Sequence, residues 1–409
     1  MTTPSAPSAP ADNRSRLLRA LAYYAAYVTL GLSVAALGPT LPALAEQTGS
    51  DLSQISIIFM ANALGYMLGT QVGGRLYDRV PGHPVLAAML LSMAVLLVAV
   101  PLAPSRWLLG LVLALVGVGM GALDVGGNTL IVWLFGRDVG PYMNALHFSF
   151  GLGAFLSPLM IDRIVVLGGG IRWAYWLLAL LIALAALWMT RLPSPSRQEA
   201  ATGPEAAARK AGFGWLTVLI AGLMFLHLGA ELGYGNWIFS YGLAVDVGPE
   251  TTARLLNSVF WGALTLGRLI AIPVAAWLLP RTMLLIDLIG AAISMGVILL
   301  LPGWAPAVWI GTFGFGLSLA SFFASAFNFA ERRMPITGRV TGYILVVANA
   351  GSMTIPWLIG QLFESVGPQA MMSTIGLTVV VSLALFAVTL AYAARMPARA
   401  ALGAEPDPA

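Results

Sequence analysis

Three charged side chains, those of Asp124, Glu231 and Arg268, lie deep inside long apolar stretches of this 409-residue sequence. A charge at the centre of a membrane-spanning helix costs about 2.5–3.5 kcal/mol, so such a residue is retained for a reason. The carboxylates could bind a cation or accept hydrogen bonds from a solute, and Glu231 is the candidate counter-charge for Arg268. We therefore predict that these three residues handle a coupling cation. A structural polar contact for Asp124 and a permanent Glu231–Arg268 ion pair stay open as alternatives.

Polar and aromatic side chains in the same stretches could hold a small polar solute. Asn128 follows Asp124 by one helical turn and shares its helix face, and His147 is predicted at a similar depth on the next helix, where the two could meet. The predicted substrate-binding residues are Asn128, His147, Glu231, Asn236, Trp237, Trp261, Asn328 and Asn349. The polar ones could instead only hydrogen-bond a neighbouring helix, and the tryptophans could be interfacial anchors.

The residues around Glu231 also suggest an irregular backbone. Three glycines surround it, namely Gly229, Gly233 and Gly235. Because glycine weakens a helix, we expect this segment to bend or unwind and to expose carbonyl groups.

The sequence lacks the motifs of the common enzyme classes. It has no cysteine, no Walker phosphate-binding loop, no Gly-x-Ser-x-Gly nucleophile motif and no His-Glu-x-x-His metal motif. The chain is therefore not predicted to be an enzyme or an ATP-driven pump, and no cofactor is expected unless sodium is the coupling cation. The net charge of +4 comes from scattered basic residues, which do not form a nucleic-acid-binding patch.

The elements that carry these residues are long apolar helices. Of all residues, 59% are hydrophobic and 9% are charged, whereas a soluble domain carries roughly a quarter charged residues. Since each crossing takes about 20 apolar residues, we predict an all-α integral membrane protein with twelve transmembrane helices in two pseudo-symmetric six-helix bundles. The predicted helices are 20–44, 53–76, 83–101, 106–135, 140–166, 171–191, 213–241, 252–279, 281–301, 304–330, 337–362 and 369–394.

One long polar connector divides these helices into two sets of six. The predicted parts are a disordered cytoplasmic tail (1–19), an N-terminal bundle (20–191), a cytoplasmic linker (192–212), a C-terminal bundle (213–394) and a second disordered tail (395–409).

The distribution of basic residues predicts which way the chain lies in the membrane. With both termini in the cytoplasm, only Arg106, Arg163, Arg172 and Arg254 among the basic residues of the connections fall outside. Cytoplasmic loops carry the excess of Lys and Arg in membrane proteins. We therefore predict a multi-pass protein of the inner membrane with both termini cytoplasmic. Asp162 and Arg163 are neighbours at the outer end of the fifth predicted helix, where we expect them to form an ion pair at the rim.

The two predicted bundles repeat each other in sequence. Glycines and prolines recur at a spacing of 198 residues (338 minus 140), in the pairs Gly31/Gly229, Gly140/Gly338, Gly153/Gly351 and Pro158/Pro356. Parallel six-helix repeats related by an axis along the membrane normal would produce this pattern.

A short motif between the second and third predicted helices resembles a known family signature. The residues Gly74-Arg75-Leu76-Tyr77-Asp78-Arg79 resemble Gly-x-x-x-Asp-Arg of the major facilitator superfamily, although Pro81 stands where a glycine is usual. We expect Gly74 to allow close helix approach, and Asp78 and Arg79 to latch the cytoplasmic gate, with Asp78 favoured by a helix dipole of the other half. A solvated turn is the alternative.

Longer segments narrow the resemblance to one branch of that superfamily. They are GALDVGGNTLIVWLFG (121–136), ALHFSFGLGAFLSPL (145–159), HLGAELGYGNWIFSYG (227–242) and WGALTLGRL (261–269). Together they resemble the sodium-dependent glucose transporter-like branch, which is related to the fucose:proton symporters. In the fucose-type relatives an acid on the fourth helix is implicated in substrate or cation handling, which the resemblance places at Asp124.

The resemblance implies a secondary active transporter for a monosaccharide or polyol, working by symport with sodium or a proton and by alternating access. The expected partners are the small-molecule substrate, the coupling cation and the lipid bilayer, with the chain as a monomer. A proton-coupled drug or metabolite antiporter is the alternative within transport. A polytopic membrane enzyme using Asp124 and His147 as an acid/base pair is the remote alternative.

Overall fold

The structure is a computed structural model that describes residues 13–195 and 214–395, apart from the side chain of Arg137. Within those ranges, twelve helices are long and apolar enough to cross a membrane, which confirms the predicted all-α fold. In chain order, α1 to α12 are Asn13–Gln47, Leu52–Tyr77, Gly82–Leu102, Arg106–Phe135, Val139–Val166, Gly170–Thr190, Trp215–Ala244, Glu250–Val274, Pro280–Leu300, Ala305–Glu331, Gly338–Ser365 and Gln369–Ala394.

Several helix ends differ from the predicted ones. The helix α1 begins at Asn13, so residues 13–19 are helical and not part of a disordered tail; Arg19 there donates to Ser15 one turn earlier. The rest of the predicted tails, and nearly all of the predicted linker, lie outside the described residues. The helix α8 ends at Val274 and not at 279, because Pro273 supplies no amide hydrogen and turns follow it.

Two helices are interrupted. The helix α2 consists of Leu52–Ile55 and Ile57–Tyr77 on either side of Ser56. The helix α10 consists of Ala305–Leu319 and Phe322–Glu331, with a break at Ala320 and Ser321. The expected bend in α7 is wrong, since Trp215–Ala244 is one continuous helix.

The glycines of α7 serve helix packing instead of a bend. A side chain at Gly229 would meet Ile355 and the carbonyl oxygen of Gly351 on α11, and one at Gly233 would meet Ile355 and Ile359. Small residues let membrane helices approach closely. Gly229 and Gly233, four residues apart, therefore form one packing face of α7, and the helix keeps its regular hydrogen bonds.

The sequence repeat has the same explanation. Gly31 on α1 and Gly153 on α5 lie where these helices cross, each against the backbone of the other. Their repeat mates, Gly229 on α7 and Gly351 on α11, lie at the corresponding crossing in the second half. The repeat thus retains a close, glycine-lined helix crossing within each bundle of six.

The two halves touch at one end of the bundle. We call the end that carries Asn13 and Arg395 the terminal end, and the opposite end the distal end. The halves meet mainly through α1 with α7, α5 with α8 and α2 with α11. Side-chain contacts in these pairs lie between the middle of the helices and the distal end, as where Ser53 and Ser56 bond to Gln361.

The terminal side of the space between the halves is open. His147 lies nine residues into α5 and yet is exposed, and the side chain of Arg268, deep in α8, is 31% exposed. Neither would contact solvent in a bundle closed along its whole length. The structure is therefore closed at the distal end and open towards the terminal end.

Candidate functional site

Asp124 on α4 is held by hydrogen bonds from its own half. Tyr66 Oη donates to Asp124 Oδ2 over 2.7 Å, and Tyr27 Oη lies 2.9 Å from Oδ1 and 2.7 Å from the carbonyl oxygen of Asp124. Asn128 Nδ2 donates to that carbonyl oxygen over 2.9 Å and lies 3.2 Å from Oδ1. Hydrogen bonds to a charged acceptor contribute about 1.5–3 kcal/mol each. The charge of this carboxylate is therefore stabilised without a cation.

The two tyrosines were not found by sequence reasoning. A tyrosine in a membrane helix is common, and nothing in the local pattern links Tyr27 or Tyr66 to Asp124. Glycines of α4 give them room, since Gly127 packs against the ring of Tyr27 and Gly121 packs against the backbone of Tyr66. The spacing of the α4 glycines was therefore the sequence feature that pointed to the two tyrosines. It could be interpreted only once the positions of the neighbouring helices were known.

Glu231 on α7 is held much more loosely than Asp124. Its Oε1 lies 3.8 Å from Nη2 of Arg268, the counter-charge expected from the sequence, and its Oε2 lies 3.5 Å from Nε2 of His227. Both distances exceed those of hydrogen bonds. Glu231 is only 6% exposed, so its carboxylate is largely withdrawn from solvent, and neither contact brings a donor close to it. It is therefore the acid of the two with room for a further partner.

His227 is fixed on the side away from this carboxylate. Its ring stacks on Phe322 at a centroid distance of 4.6 Å, next to the break in α10. Within residues 13–195 and 214–395, its Nδ1 has no hydrogen-bond partner. His227 and Glu231 are one helical turn apart and therefore share one face of α7.

His147 lies near Asp124 of its own half and near Arg268 of the other half. Its ring meets Tyr27 edge to face at 6.2 Å. His147 and Asn128 thus share Tyr27 as a neighbour, since Asn128 Nδ2 lies 2.8 Å from Tyr27 Oη. The structure therefore brings the predicted polar residues of the N-terminal half to the open space beside the Glu231–Arg268 pair.

Three other predicted substrate residues are buried towards the distal end, namely Asn236, Trp237 and Trp261. Trp237 Nε1 donates to the carbonyl oxygen of Pro356 over 2.9 Å, and its ring stacks on Phe363. Because its one polar atom is already paired within the second half, Trp237 packs the closed distal end.

Asn328 and Asn349 are not joined to the acids by any contact seen in the described part of the chain. Asn328 is exposed on the terminal part of α10. Asn349 donates over 2.9 Å to the carbonyl oxygen of Leu345 in its own helix. Their proposed contact with a substrate remains a prediction.

The predicted gating motif lies at the terminal end of α2. Asp78 and Arg79 are exposed there, and the amide of Asp78 donates to the carbonyl oxygen of Gly74. In this conformation, with the terminal side open, Gly74 does not pack against another helix, since a side chain there would meet no atom of the described residues within 4 Å. Gly73 is the packing residue, since its Cβ would stand 2.8 Å from Cα of Ala122 on α4. One residue along a helix turns the side chain by about 100°.

An ion pair joins the halves at the distal end. Arg254 Nη1 on α8 lies 3.2 Å from Oδ1 of Asp162 on α5, and Arg254 also pairs with Glu250. The predicted pairing of Asp162 with Arg163 is therefore wrong. Arg163 follows Asp162 directly and points to a different side of α5, where it is exposed, whereas Arg254 is 5% exposed.

A second polar contact closes the distal end between α2 and α11. Gln361 Nε2 donates to the carbonyl oxygen of Ser53 over 2.9 Å, and Ser53 Oγ donates to Gln361 Oε1 over 3.1 Å. The amide of Leu52 donates to Glu364 over 2.7 Å. Sequence reasoning missed this contact because its partners are about 300 residues apart.

Comparisons with known proteins agree with this architecture. The family model described as Major Facilitator Superfamily matches residues 23–356. The sodium-dependent glucose transporter 1A of Mus musculus is 32% identical over 374 residues, which cover 83% of this chain and 88% of that protein. Sodium-dependent glucose transporter 1 of Homo sapiens is 32% identical, over 83% of this chain and 72% of that protein. The corresponding protein of Danio rerio is 32% identical, and the match spans 65% of its length.

Solved structures share the fold at low sequence identity. A mutant of the nucleoside transporter NupG superposes with a TM-score of 0.74 at 15% identity, over 92% of this chain and 99% of that one. The D-xylose-proton symporter superposes with a TM-score of 0.72 at 13% identity, over 90% of this chain and 97% of that one.

Proposed function

The chain belongs to the major facilitator superfamily, and on that premise we propose that it carries a monosaccharide or polyol by symport with sodium or a proton. Its relatives and structural neighbours are transporters and not enzymes. The names of the relatives from mouse and man support a sugar as the solute. We place it in the inner membrane with both termini cytoplasmic, as the basic residues of the sequence favour.

One observation carries the proposal: an acid in each half lies beside an at least partly exposed residue of the open space, Asp124 near His147 and Glu231 near Arg268, and the two acids are bonded to different degrees. Asp124 has hydroxyl and amide donors around it, whereas Glu231 has only the longer contacts to Arg268 and His227. A carboxylate without close donors can take a cation at little structural cost. Glu231 is therefore our candidate for the residue that accepts the coupling cation in exchange for Arg268.

Asp124 would act on the cation and on the substrate together. Its negative charge adds to the attraction of a cation into the space, and its hydrogen bonds fix Tyr27 and Asn128 in place. The substrate hydroxyls would then bind to Asn128, to His147 and to Glu231. Occupation of this space would change the balance between the two states, as alternating access requires.

With the termini in the cytoplasm, the open space faces inward. The described conformation is then the inward-facing state, in which Arg268 stands beside Glu231 after cation and sugar have left. In the outward-facing state the contacts of Asp162 with Arg254 and of Ser53 with Gln361 would open. The Asp78–Arg79 motif would latch the cytoplasmic side in that state.

Uptake into proteoliposomes tests the proposal. The purified full chain should accumulate radiolabelled D-glucose, or another member of a panel of hexoses and polyols, when an inward sodium or proton gradient is imposed. Dissipating the effective gradient with an ionophore should abolish accumulation and leave equilibration. Failure to take up any sugar or polyol under either gradient would refute the proposal. Gradient-driven accumulation of nucleosides alone would show that the solute is a nucleoside and not a sugar or polyol.

A further inference from the structure

On one stretch of α8, several polar side-chain atoms have no hydrogen-bond partner among the described residues. They are Oδ1 of Asn257, Oγ of Ser258 and Nε1 of Trp261, all on residues at most 1% exposed. Folded proteins leave few buried polar atoms unpaired, because an unpaired atom has lost its water and gained nothing. Three within five residues therefore mark a stretch that could bind a further polar partner.

Two of these atoms face the same point on α7. Asn257 and Trp261 are one helical turn apart on α8 and share a face. Asn257 Nδ2 donates to the carbonyl oxygen of Gly235, which leaves its Oδ1 as the unused acceptor. A Cβ on Gly235 would stand 3.3 Å from Cε2 of Trp261, the carbon bonded to the unpaired Nε1. Gly235 has no side chain to cover either atom.

The other half of the protein closes this point. Gly38 on α1 packs against it, so that a Cβ there would stand 2.7 Å from the carbonyl oxygen of Gly235 and 3.1 Å from Asn257 Nδ2. From α5, Phe150 meets the ring of Trp261 edge to face. Since α1 and α5 belong to the first half, separation of the halves at the distal end would uncover Asn257 and Trp261 together.

The pair matches the chemistry of a sugar hydroxyl. A hydroxyl donates one hydrogen bond and accepts others, and here an acceptor oxygen and a donor N–H lie on one face of one helix. The indole ring beside them offers an apolar surface to the C–H groups of a sugar ring. We propose that Asn257 and Trp261 form a hydroxyl-binding subsite for the transported sugar or polyol, occupied when the distal end is open or just closing.

This subsite rests on the proposed function and adds a means of coupling to it. The distally closed state leaves Asn257 Oδ1 and Trp261 Nε1 unpaired, whereas a hydroxyl bound when the distal end is open or just closing satisfies both. Substrate therefore binds the two states with different affinities, which is the requirement for it to shift their balance. A site built to bond a hydroxyl also rejects analogues that lack it much more strongly than an apolar site does.

Uptake of D-glucose and of its singly deoxygenated analogues by the full chain in proteoliposomes tests the subsite. In the unmodified protein, we expect the efficiency (initial rate divided by concentration) for at least one deoxy analogue to fall about tenfold or more below that for D-glucose. Trp261→Phe keeps an aromatic ring and removes the N–H. In this variant, the uptake efficiencies for D-glucose and for the same deoxy analogue should come within about threefold of each other. Asn257→Leu should reduce the same discrimination by removing the acceptor.

Trp176→Phe is the matched control, because it also removes an indole N–H, but one already bonded to the carbonyl oxygen of Val98 within the first half. It should lower thermal stability and leave the ratio between D-glucose and the deoxy analogue unchanged. An unchanged ratio in Trp261→Phe, with or without higher thermal stability, would overturn the subsite and leave a trapped water or a packing role. Absence of uptake of every hexose and polyol by the unmodified protein would overturn the proposed function and the subsite together.

Discussion

At the scale of single residues, the two buried acids differ in what surrounds them. Asp124 receives hydrogen bonds from Tyr66 and Tyr27, so its charge needs no further partner. Glu231 has Arg268 and His227 at 3.8 and 3.5 Å, distances at which a competing cation or hydroxyl can enter. The same chemical group, a carboxylate, thus supports two roles. The neighbouring helices supply hydrogen-bond donors to Asp124 and leave Glu231 short of them.

Neutralising each acid should separate these roles. We expect Asp124→Asn to abolish gradient-driven accumulation while keeping some counterflow exchange, because the frame of Tyr27 and Asn128 persists. Glu231→Gln should weaken substrate affinity as well, since Arg268 loses its counter-charge. Radiolabelled D-glucose uptake and counterflow in proteoliposomes measure both. Accumulation at the level of the unmodified protein in both variants would mean that neither acid is a coupling site.

At the scale of the helices, glycine positions decide which faces can meet. The contact of α2 with α4 has Gly65, Gly69 and Gly73 on one side, and each would place a Cβ against the backbone of α4. Their spacing of four residues forms one continuous face along the helix. This face holds Tyr66 against Asp124, so the packing of two helices fixes the geometry of the acid.

The neighbours Gly73 and Gly74 allow a matched test. Gly73→Ala should destabilise the protein by roughly 1–3 kcal/mol, because the added methyl group overlaps Ala122 on α4. Gly74→Ala should be neutral or slightly stabilising, since its surroundings are open and alanine favours a helix. The measurement is the midpoint temperature of thermal unfolding in detergent, with the loss of folded protein monitored by size-exclusion chromatography. Equal loss of stability in both variants would contradict the assignment of Gly73 as the packing residue.

At the scale of the whole molecule, the halves are held together at the distal end and apart at the terminal end. The distal contacts include one buried ion pair, Asp162 with Arg254, and the polar contact of Ser53 with Gln361. The two acids lie one in each half, beside the open space that exposes His147 and part of Arg268. A movement that opened the distal end would break the ion pair and uncover the α8 stretch at Trp261.

Weakening the distal ion pair should favour the distally open state. We expect Asp162→Asn to shift the equilibrium by about 1 kcal/mol, or roughly fivefold, because Arg254 loses one of two carboxylates. The chain has no cysteine, so Ser56→Cys, in the α2–α11 contact, is a clean reporter for a membrane-impermeant maleimide. Labelling should be faster with Asp162→Asn than without it. The control is Arg163→Gln, at an exposed neighbour outside the ion pair. Equal acceleration of labelling by the two substitutions would show that the ion pair does not hold the distal end closed.

The gating motif belongs to the opposite end of the same movement. If Asp78 latches the terminal side when that side closes, Asp78→Asn should slow transport and keep equilibrium substrate affinity within a few-fold. Asp138→Asn, at an exposed aspartate of the same end, should change neither. Initial uptake rates and equilibrium binding of D-glucose measure the two quantities. A tenfold or greater loss of affinity with an intact transport rate would place Asp78 at the substrate instead.

Much of this protein could be inferred from the sequence alone. Twelve apolar stretches predict the twelve helices, because lipid admits only backbones that satisfy their own hydrogen bonds. Asp124, Glu231 and Arg268 stand out because a charge is costly there, and the glycine repeat indicates two related halves. These signals are local, and each can be recognised within one stretch of sequence or in the spacing between two.

Only the tertiary structure decided which side chains meet. Tyr27 and Tyr66 reach Asp124 from other helices, Asp162 pairs with Arg254 across 92 residues and not with its neighbour Arg163, and Gly73, not Gly74, packs against α4 in this conformation. In each case the outcome depends on the rotation and crossing of separate helices. Membrane helices are uniformly apolar towards lipid, so their sequences carry little information on the face that each turns to its partner. The close packing of whole helices at glycines settles that face, and with it the composition of the site.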